Sequence, residues 1–196
     1  DAAREKVQSV LDSHEARKAA LLHDAFAGKL TEKWRQENNL QKDWKHGKLL
    51  DCLLGKPRNG YSPKAVSYPT KCKSMSLSAT TDGIFKKDYY KYIDEDIPAD
   101  SYLWLKPGDI LIQRSNSLEK VGVSAIYTGE EHEYIYPDLM MKLQVDNQND
   151  FKYINYFLQR VETRAYFLSN ATGIAGNMPK INQKTVSNTP VDYPSL

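Results

Sequence analysis

A short polar segment between two apolar stretches carries the side chains best suited to binding a ligand. Residues 110–113 and 121–127 are rich in β-branched and aromatic side chains and are flanked by Pro-Gly and Thr-Gly turns, which predicts two strands. Between them stand Arg114, Ser115, Asn116 and Ser117. Guanidinium, hydroxyl and amide groups bind phosphate oxygens and the edges of nucleic-acid bases. The segment therefore predicts nucleic-acid contact, and a solvated hairpin loop is the alternative.

A second polar segment, residues 55–64, is rich in Gly and Pro, which predicts a loop. It lacks the lysine of a nucleotide-binding P-loop, because Tyr61 follows its second glycine. We predict that Tyr61 stacks on a base or touches a sugar. The other side chains predicted to contact DNA here are Lys56, Arg58, Asn59 and Lys64. The alternative is a loop that is polar only because it is solvated.

Two further groups are predicted to face the same ligand. Thr80 and Thr81 precede a turn at Asp-Gly, and a loop after two glycines carries Asn177, Lys180 and Lys184. Small residues in that loop would let backbone amides approach a phosphate. Cross-strand hydrogen bonding explains the threonines equally well, and a loop that only ends a helix explains the second group.

Catalytic signals are weak in this sequence. Asp138, Asp150 and Lys152 have the order of the two carboxylates and the lysine of a metal-dependent nuclease. Two acids and a lysine at loose spacing recur by chance in a chain that is 27% charged, and Asp150 stands where it would cap a helix. The acidic runs 94–96 and 130–133 are predicted to be solvated, because consecutive side chains diverge. We predict no catalytic residue, metal or cofactor, with the nuclease as the alternative.

The elements that must position these groups fall into three parts. Residues 1–28 favour a helix, with no Pro or Gly before Gly28, and are followed by a linker, 29–44, and one domain, 45–196. The helix has an apolar stripe of Val7, Leu11, Leu21 and Ala25, which predicts an interface. A third option for the chain is thus a helical assembly adaptor whose loops bind protein.

The domain itself is predicted to be α+β, a mixed, twisted sheet with a packed helix, preceded by the long extended α-helix. Residues 138–145 are predicted to be a buried strand, and a helix is predicted from residue 150. The apolar face of that helix is predicted to consist of Phe151, Ile154, Leu158, Val161, Ala165 and Leu168.

Composition narrows the class of protein. The chain of 196 residues is 40% hydrophobic, which is enough for a packed core, and has no apolar run of the length a membrane helix needs. Two cysteines, not spaced as a metal or redox motif, favour a cytoplasmic compartment.

Residues 41–91 carry eleven basic and four acidic side chains, and this basic block predicts a local polyanion footprint. The first residue is not Met, so we expect a cut fragment.

Residues 105–127 are similar to the DNA-specificity domain of type I restriction-modification specificity subunits, through the pattern L-x-P-G-D-I-L-I-x-R-S-x-S…V-G-x-x-A-I. Residues 21–34 resemble that family's helical spacer and its exit, and residues 172–196 its closing G-x-x-G…I-N…P-x-P segment. Residues 55–83 fit more loosely. The resemblance covers most of the chain in the expected order.

The resemblance implies a central spacer helix followed by the second target recognition domain. Such a subunit reads one half of a bipartite double-stranded DNA target and directs methyltransferase and restriction subunits to it, without catalysis of its own. With its antiparallel partner helix missing, the spacer helix would pair with a second copy or face a methyltransferase subunit. The base-reading loops of the family vary, so the contact residues named above are predicted from their chemistry.

Overall fold

The computed structural model describes residues 2–41, 43–174 and 178–194. It divides into two compact units, one formed by Asp1–His46 with Asp192–Ser195 and the other by Gly47–Val191. Among the described residues, no helix combines the length and the apolar content needed to cross a bilayer.

The first unit contains the predicted long helix. This helix, α1 (Ala2–Phe26), ends before Gly28, whose φ of 81° lies in the left-handed region that glycine tolerates. A 3-10 turn (Lys29–Thr31) and α2 (Glu32–Glu37) follow, and Arg35 Nη2 donates to the Gly28 carbonyl over 2.9 Å. The first half of the predicted linker is therefore helical, because its Glu, Lys and Arg side chains favour a helix and Arg35 bonds back across the turn.

The second unit contains two four-stranded sheets. In the first, β2 (Arg58–Asn59), β9 (Met140–Leu143), β6 (Ile110–Gln113) and β7 (Ser124–Ile126) lie in that order, and all neighbours are antiparallel. The strands predicted at 110–113 and 121–127 are thus β6 and β7, and they pair with each other. The buried strand predicted at 138–145 is β9, all four of whose residues are buried.

The second sheet is mixed. Its order is β3 (Ala65–Val66), β5 (Tyr90–Ile93), β4 (Cys72–Met75) and β8 (Tyr134–Ile135), and only β4 and β8 run parallel. Both sheets contribute side chains to one apolar cluster. It consists of Met75, Ala79, Leu105, Leu111, Tyr127, Tyr134, Tyr136 and Met140.

The predicted helix after residue 150 is two helices, α3 (Phe151–Leu158) and α4 (Val161–Ser169). Asp150 caps α3 as predicted, by accepting from the Lys152 and Tyr153 amides. The predicted apolar face is wrong beyond the break. Ile154 and Leu158 are buried, but Val161 is 64% exposed and Ala165 is exposed. A spacing of three and four marks one face only within an unbroken helix, and α4 instead buries Thr163 and Phe167.

Phe167 packs where β7 and the preceding turn leave room. Gly122 has a φ of 77°, and a Cβ there would lie 2.6 Å from Phe167 Cδ2, so the position admits only glycine without movement of the ring. The Ser124 hydroxyl donates to Asn155 Oδ1 over 2.9 Å and joins β7 to α3. These contacts hold the helices against the end of the sheet that carries the predicted binding segment.

The last elements are α5 (Gln183–Ser187), capped by Asn182, and β10 (Pro190–Pro194). β10 pairs with β1 (Trp44–Lys48), and the Leu49 amide donates to the Thr189 carbonyl over 2.9 Å. The division between the two units falls within both of these strands.

Candidate nucleic-acid interface

The segment after β6 is held by hydrogen bonds to its own neighbours. The Lys120 and Val121 amides donate to the Ser117 carbonyl over 3.0 and 2.9 Å and form the turn. Asn116 Nδ2 donates to Gln113 Oε1 over 2.6 Å, and Asn116 Oδ1 accepts from the Ser117 amide over 2.7 Å. Both ends of the Asn116 amide thus help to shape the loop, while its predicted role in reading base edges stays a prediction.

Arg114 connects three segments. Its amide donates to the Leu139 carbonyl over 2.9 Å, its Nη1 to the Asp138 carbonyl over 3.3 Å, and its carbonyl accepts from the Ile181 amide over 2.9 Å. The guanidinium is partly exposed, while its Nε is buried without a partner in the described structure. Arg114 can therefore still offer N–H groups to a ligand.

Ser115 is 1% exposed and pairs with Lys180 in an isolated bridge. Its predicted contact with DNA is corrected, because a buried hydroxyl does not reach a ligand at the surface. Ser117 is exposed, as predicted for a contact residue.

The loop at residues 55–64 lies against the loop between β8 and β9. The Tyr61 amide donates to the Tyr136 carbonyl over 2.9 Å, and the Ser62 hydroxyl bonds to the Asp138 carboxylate and accepts from the Asp138 amide. Gly60 is required at this approach, since a Cβ would lie 2.1 Å from the Tyr136 carbonyl oxygen. Ser62, Asp138 and Arg114 therefore connect the basic loop to the segment after β6.

The cations of the basic loop are exposed. Lys56 and Lys64 are exposed, and the Arg58 guanidinium carbon lies 3.5 Å from the centre of the Tyr102 ring. Tyr61 is 43% exposed, and its hydroxyl donates to Glu95 over 3.4 Å, a hydrogen bond that raises the pKa of Tyr61. Asn59 is partly buried, and its Oδ1 has no partner in the described part of the chain.

The two threonines belong to the interior. Gln113 Nε2 donates to Thr80 Oγ1 over 3.0 Å, to Thr81 Oγ1 over 3.2 Å and to the Leu77 carbonyl over 2.9 Å. Thr80 is completely buried, so its predicted DNA contact is corrected to a structural hydrogen bond. Thr81 is partly buried and donates to the Leu77 carbonyl. Gln113 was not singled out from the sequence, although a lone amide at the end of an apolar strand indicates a buried polar contact.

The closing segment lies beside Arg114. Thr172 and Lys180 exchange backbone hydrogen bonds of 2.9 and 2.8 Å, and the side chains of Lys180 and Lys184 are exposed. Asn177 lies outside the described residues. The predicted contact residues of three segments, around 58–64, 114–117 and 180–184, are therefore joined through backbone hydrogen bonds.

A buried ion pair beneath this region was also missed from the sequence. Lys142 Nζ lies 3.4 Å from Asp109 Oδ2, and the two side chains are 4% and 5% exposed. Burial lowers the pKa of Lys142, and Asp109 opposes that effect. The sequence signal for this ion pair is the single lysine within the apolar strand β9, because a lysine in a buried strand rarely lacks a partner for its charge.

The two acids of the nuclease alternative have other partners in the described structure. Asp150 Oδ1 accepts from the Lys152 amide over 2.6 Å as a helix cap, and Asp138 bonds to Ser62. Within residues 2–41, 43–174 and 178–194, no three His, Cys, Asp or Glu side chains are placed to hold a metal ion.

The predicted stripe on α1 is largely exposed. Val7 is 61% exposed and Leu11 and Leu21 are each 54% exposed, whereas Ala25 is partly buried. Isolated apolar side chains at a surface are ordinary, but these lie on one face of the helix, where His14 and Lys18 interrupt the stripe between Leu11 and Leu21.

Comparison with known proteins gives one sequence relative and several structural ones. No protein-family model matches the chain. The specificity subunit of the type I restriction enzyme EcoKI from Escherichia coli K12 is 28% identical over 148 residues, which are 74% of this chain and 32% of the relative. The chain thus spans about a third of the length of this curated relative.

The structural relatives have the same fold. The HsdS subunit of Thermoanaerobacter tengcongensis has a TM-score of 0.51 at 15% identity, over 97% of this chain and 45% of that one. The S subunit of a type I restriction-modification system from M. genitalium has a TM-score of 0.53 at 15% identity, over the same shares. A third relative comes from a structure of the assembly and conformational transition of a type I R-M system. It has a TM-score of 0.57 at 14% identity, over 100% of this chain and 46% of that one. The predicted α+β class with a long amino-terminal helix is confirmed.

Proposed function

We propose that this chain, a relative of the specificity subunits of type I restriction enzymes, recognises one half of a bipartite DNA target. The observation that carries the proposal is the connection from Ser62 through Asp138 and Arg114 to Ile181. This connection brings exposed cations of separate segments onto one framework, and cations on a rigid surface are what the DNA backbone requires. Arg114 is the side chain proposed to read a base, since a guanidinium suits the guanine edge.

The same proposal assigns no reaction to the chain. Asp138 bonds to Ser62, and Asp150 caps a helix by accepting from backbone amides, so each acid has a structural role. Methylation and cleavage would belong to methyltransferase and restriction subunits that the recognition domain directs to the target. The relatives are the specificity subunit of a type I restriction enzyme and a chain from an assembled type I R-M system, which supports such partners.

The exposed stripe of α1 supports a second role, in assembly. We propose that Val7, Leu11 and Leu21 contact a methyltransferase subunit or a second copy of this chain. Exposed apolar side chains gain free energy when they leave water, at about 25 cal/mol per Å². If the chain were only an assembly adaptor, it would make this contact and would not recognise DNA.

The test is selection from a pool of duplexes with a randomised centre, performed without magnesium and repeated with it. We expect one short sequence to be enriched and the bound duplex to remain intact under both conditions. A variant with Lys56→Ala, Arg58→Ala and Lys64→Ala should bind every duplex more weakly and show a flatter dependence of log K on log salt, because fewer counterions are released.

The outcomes separate the three functions. Enrichment without cutting supports recognition, magnesium-dependent cutting supports the nuclease, and the absence of any DNA binding beside self-association supports the adaptor. An unchanged salt dependence in the triple variant would contradict contact between DNA and the basic loop, residues 55–64.

A further inference from the structure

A cavity of about 540 Å³ opens beside β2 and β9. Its described lining contains three cations, two glutamines and no carboxylate. The polar lining residues are Lys56, Arg58, Lys142, Gln144 and Gln183. Three segments far apart in sequence thus meet at one basic cavity, and Gln183 contributes from the first position of α5.

Arg58 is held in place by its neighbours while its donors stay available. The guanidinium carbon lies 3.5 Å from the centre of the Tyr102 ring, Tyr102 Oη donates to the Asn59 carbonyl over 3.2 Å, and Tyr136 Oη donates to the Arg58 carbonyl over 3.2 Å. Stacking uses the face of the guanidinium and leaves its N–H groups at the edge. Among the described residues, no acceptor bonds to those N–H groups.

The floor of the cavity is electrically balanced. Lys142 Nζ donates to the Trp104 carbonyl over 2.8 Å and pairs with Asp109, whose other oxygen accepts from Gln144 Nε2 over 3.2 Å. The uncompensated positive charge therefore comes from Lys56 and Arg58. Lys56 has no carboxylate partner in the described part of the chain.

We propose that this cavity binds one phosphate of the DNA backbone. The free edge of the Arg58 guanidinium matches two phosphate oxygens, Lys56 supplies a second charge, and the Gln183 amide supplies a neutral donor. Tyr102 is a positioning residue, because it holds the guanidinium at a fixed angle. The cavity is larger than one phosphate and leaves room for the adjoining sugar. This inference rests on the proposed DNA recognition and assigns Gln183 and Tyr102 to it.

The test uses the full chain and the duplex obtained by selection. One backbone phosphate at a time is replaced by a neutral methylphosphonate, and the dissociation constant is measured for the parent, for Arg58→Gln and for Gln183→Glu. We expect one position at which the methylphosphonate weakens binding to the parent about tenfold, the size of a lost charged hydrogen bond. At that position the replacement should have a clearly smaller effect on Arg58→Gln, which keeps only Lys56 and the Gln183 amide at the phosphate.

Variants at Tyr102 and Gln183 identify the role of the ring and of the amide. Gln183→Glu should weaken binding and reduce the salt slope by about 0.9, the value for one phosphate contact. Tyr102→Leu should lose most of the sensitivity at the same DNA position, while Tyr102→Phe, which keeps the ring, should retain it. Lys6→Gln removes an exposed lysine that does not line the cavity, and it should leave the sensitive position unchanged. Thermal unfolding checks that every variant is folded.

The contrary outcomes are distinct. If the parent binds its duplex and Arg58→Gln keeps the full sensitivity at every position, the phosphate site is overturned and the proposed function stands. If no duplex is selected, both are overturned. If inorganic phosphate alone stabilises the parent but not Arg58→Gln and no DNA position is sensitive, the cavity binds free phosphate and the assignment to DNA is overturned.

Discussion

The Asn116 side-chain amide donates to Oε1 of Gln113 over 2.6 Å, so a buried residue at the end of β6 sets the conformation of the loop that follows it. Gln113 cannot rotate its amide to suit another partner, because its Nε2 donates to the Leu77 carbonyl and to Thr80. The shape of the candidate reading loop is therefore determined from the core outward.

Asn116→Asp tests this dependence. A carboxylate would place an acceptor against Gln113 Oε1, and we expect the free energy of unfolding in urea to fall by about 1–3 kcal/mol, the cost of an unsatisfied buried group. Ser117→Ala, at the exposed neighbouring position, should change it by less than about 0.5 kcal/mol. Equal stability of the Asn116→Asp variant and the parent would contradict the role assigned to Asn116.

Arg114→Lys should relax sequence preference more than it lowers overall affinity. Lysine keeps the charge but loses the planar fork, and discrimination at one base pair should fall by about 1–3 kcal/mol. Selection from a randomised pool gives the measurement. Lys184→Ala is the control, since loss of an exposed cation should weaken all sequences alike. A parent-like preference in Arg114→Lys would exclude base reading by this residue.

Lys142→Met should destabilise the second unit. It leaves Asp109 charged and buried without its partner, and breaking such a pair costs about 3–5 kcal/mol. Adding Asp109→Asn should recover part of the loss, because the neutral amide no longer needs a counter-charge. Urea unfolding of the single and double variants measures the coupling, and an additive double variant would show that the two groups act independently.

Leu11→Asp together with Leu21→Asp should abolish any concentration-dependent self-association of the chain. The thermal unfolding of this variant should be nearly unchanged, because both side chains are more than half exposed. Sedimentation over a concentration series is the measurement. Ser9→Asp with Ala20→Asp introduces the same charges at exposed positions on the opposite face of α1 and should preserve association. A strictly monomeric parent whose stripe variant loses stability would contradict the assembly role.

Cys52 should be unreactive in the folded chain. Burial raises the pKa of its thiol to about 12, with Asp146 and Asp51 adding to the effect, so little thiolate forms at pH 8. Alkylation by iodoacetamide followed by mass spectrometry should label Cys52 slowly in the native protein and rapidly in urea. Cys72, also buried and with a raised pKa, should behave similarly. Rapid native labelling that increases from pH 7 to 9 would contradict this.

Much of the local structure was accessible from the sequence. The apolar residues at 110–112, the glycine at 28 and the cap at Asp150 each act over a few neighbouring residues, so pattern alone indicates them. The break between α3 and α4 was missed because the apolar spacing continues across it by coincidence.

Long-range contacts explain what the sequence could not predict. Thr80 resembles a surface hydroxyl until Gln113, 33 residues away, is seen to donate to it. Ser115 and Asn116 likewise have side chains that suit DNA, but their burial and their bonds depend on Lys180 and Gln113. Arg58 gained a defined orientation only through Tyr102. In each case residue type indicated the chemistry, and the fold decided whether that chemistry faces solvent.

The pairing of β1 with β10 brings the entry and the exit of the Gly47–Val191 unit side by side, separated by about one inter-strand spacing of 4.7–4.9 Å. The unit is thus inserted between two adjacent strands, which enter and leave it at the same place. We therefore predict that an insert whose ends have the same spacing can replace the unit without disrupting the pairing of β1 with β10. Loops inside it can then diversify without altering how it is attached.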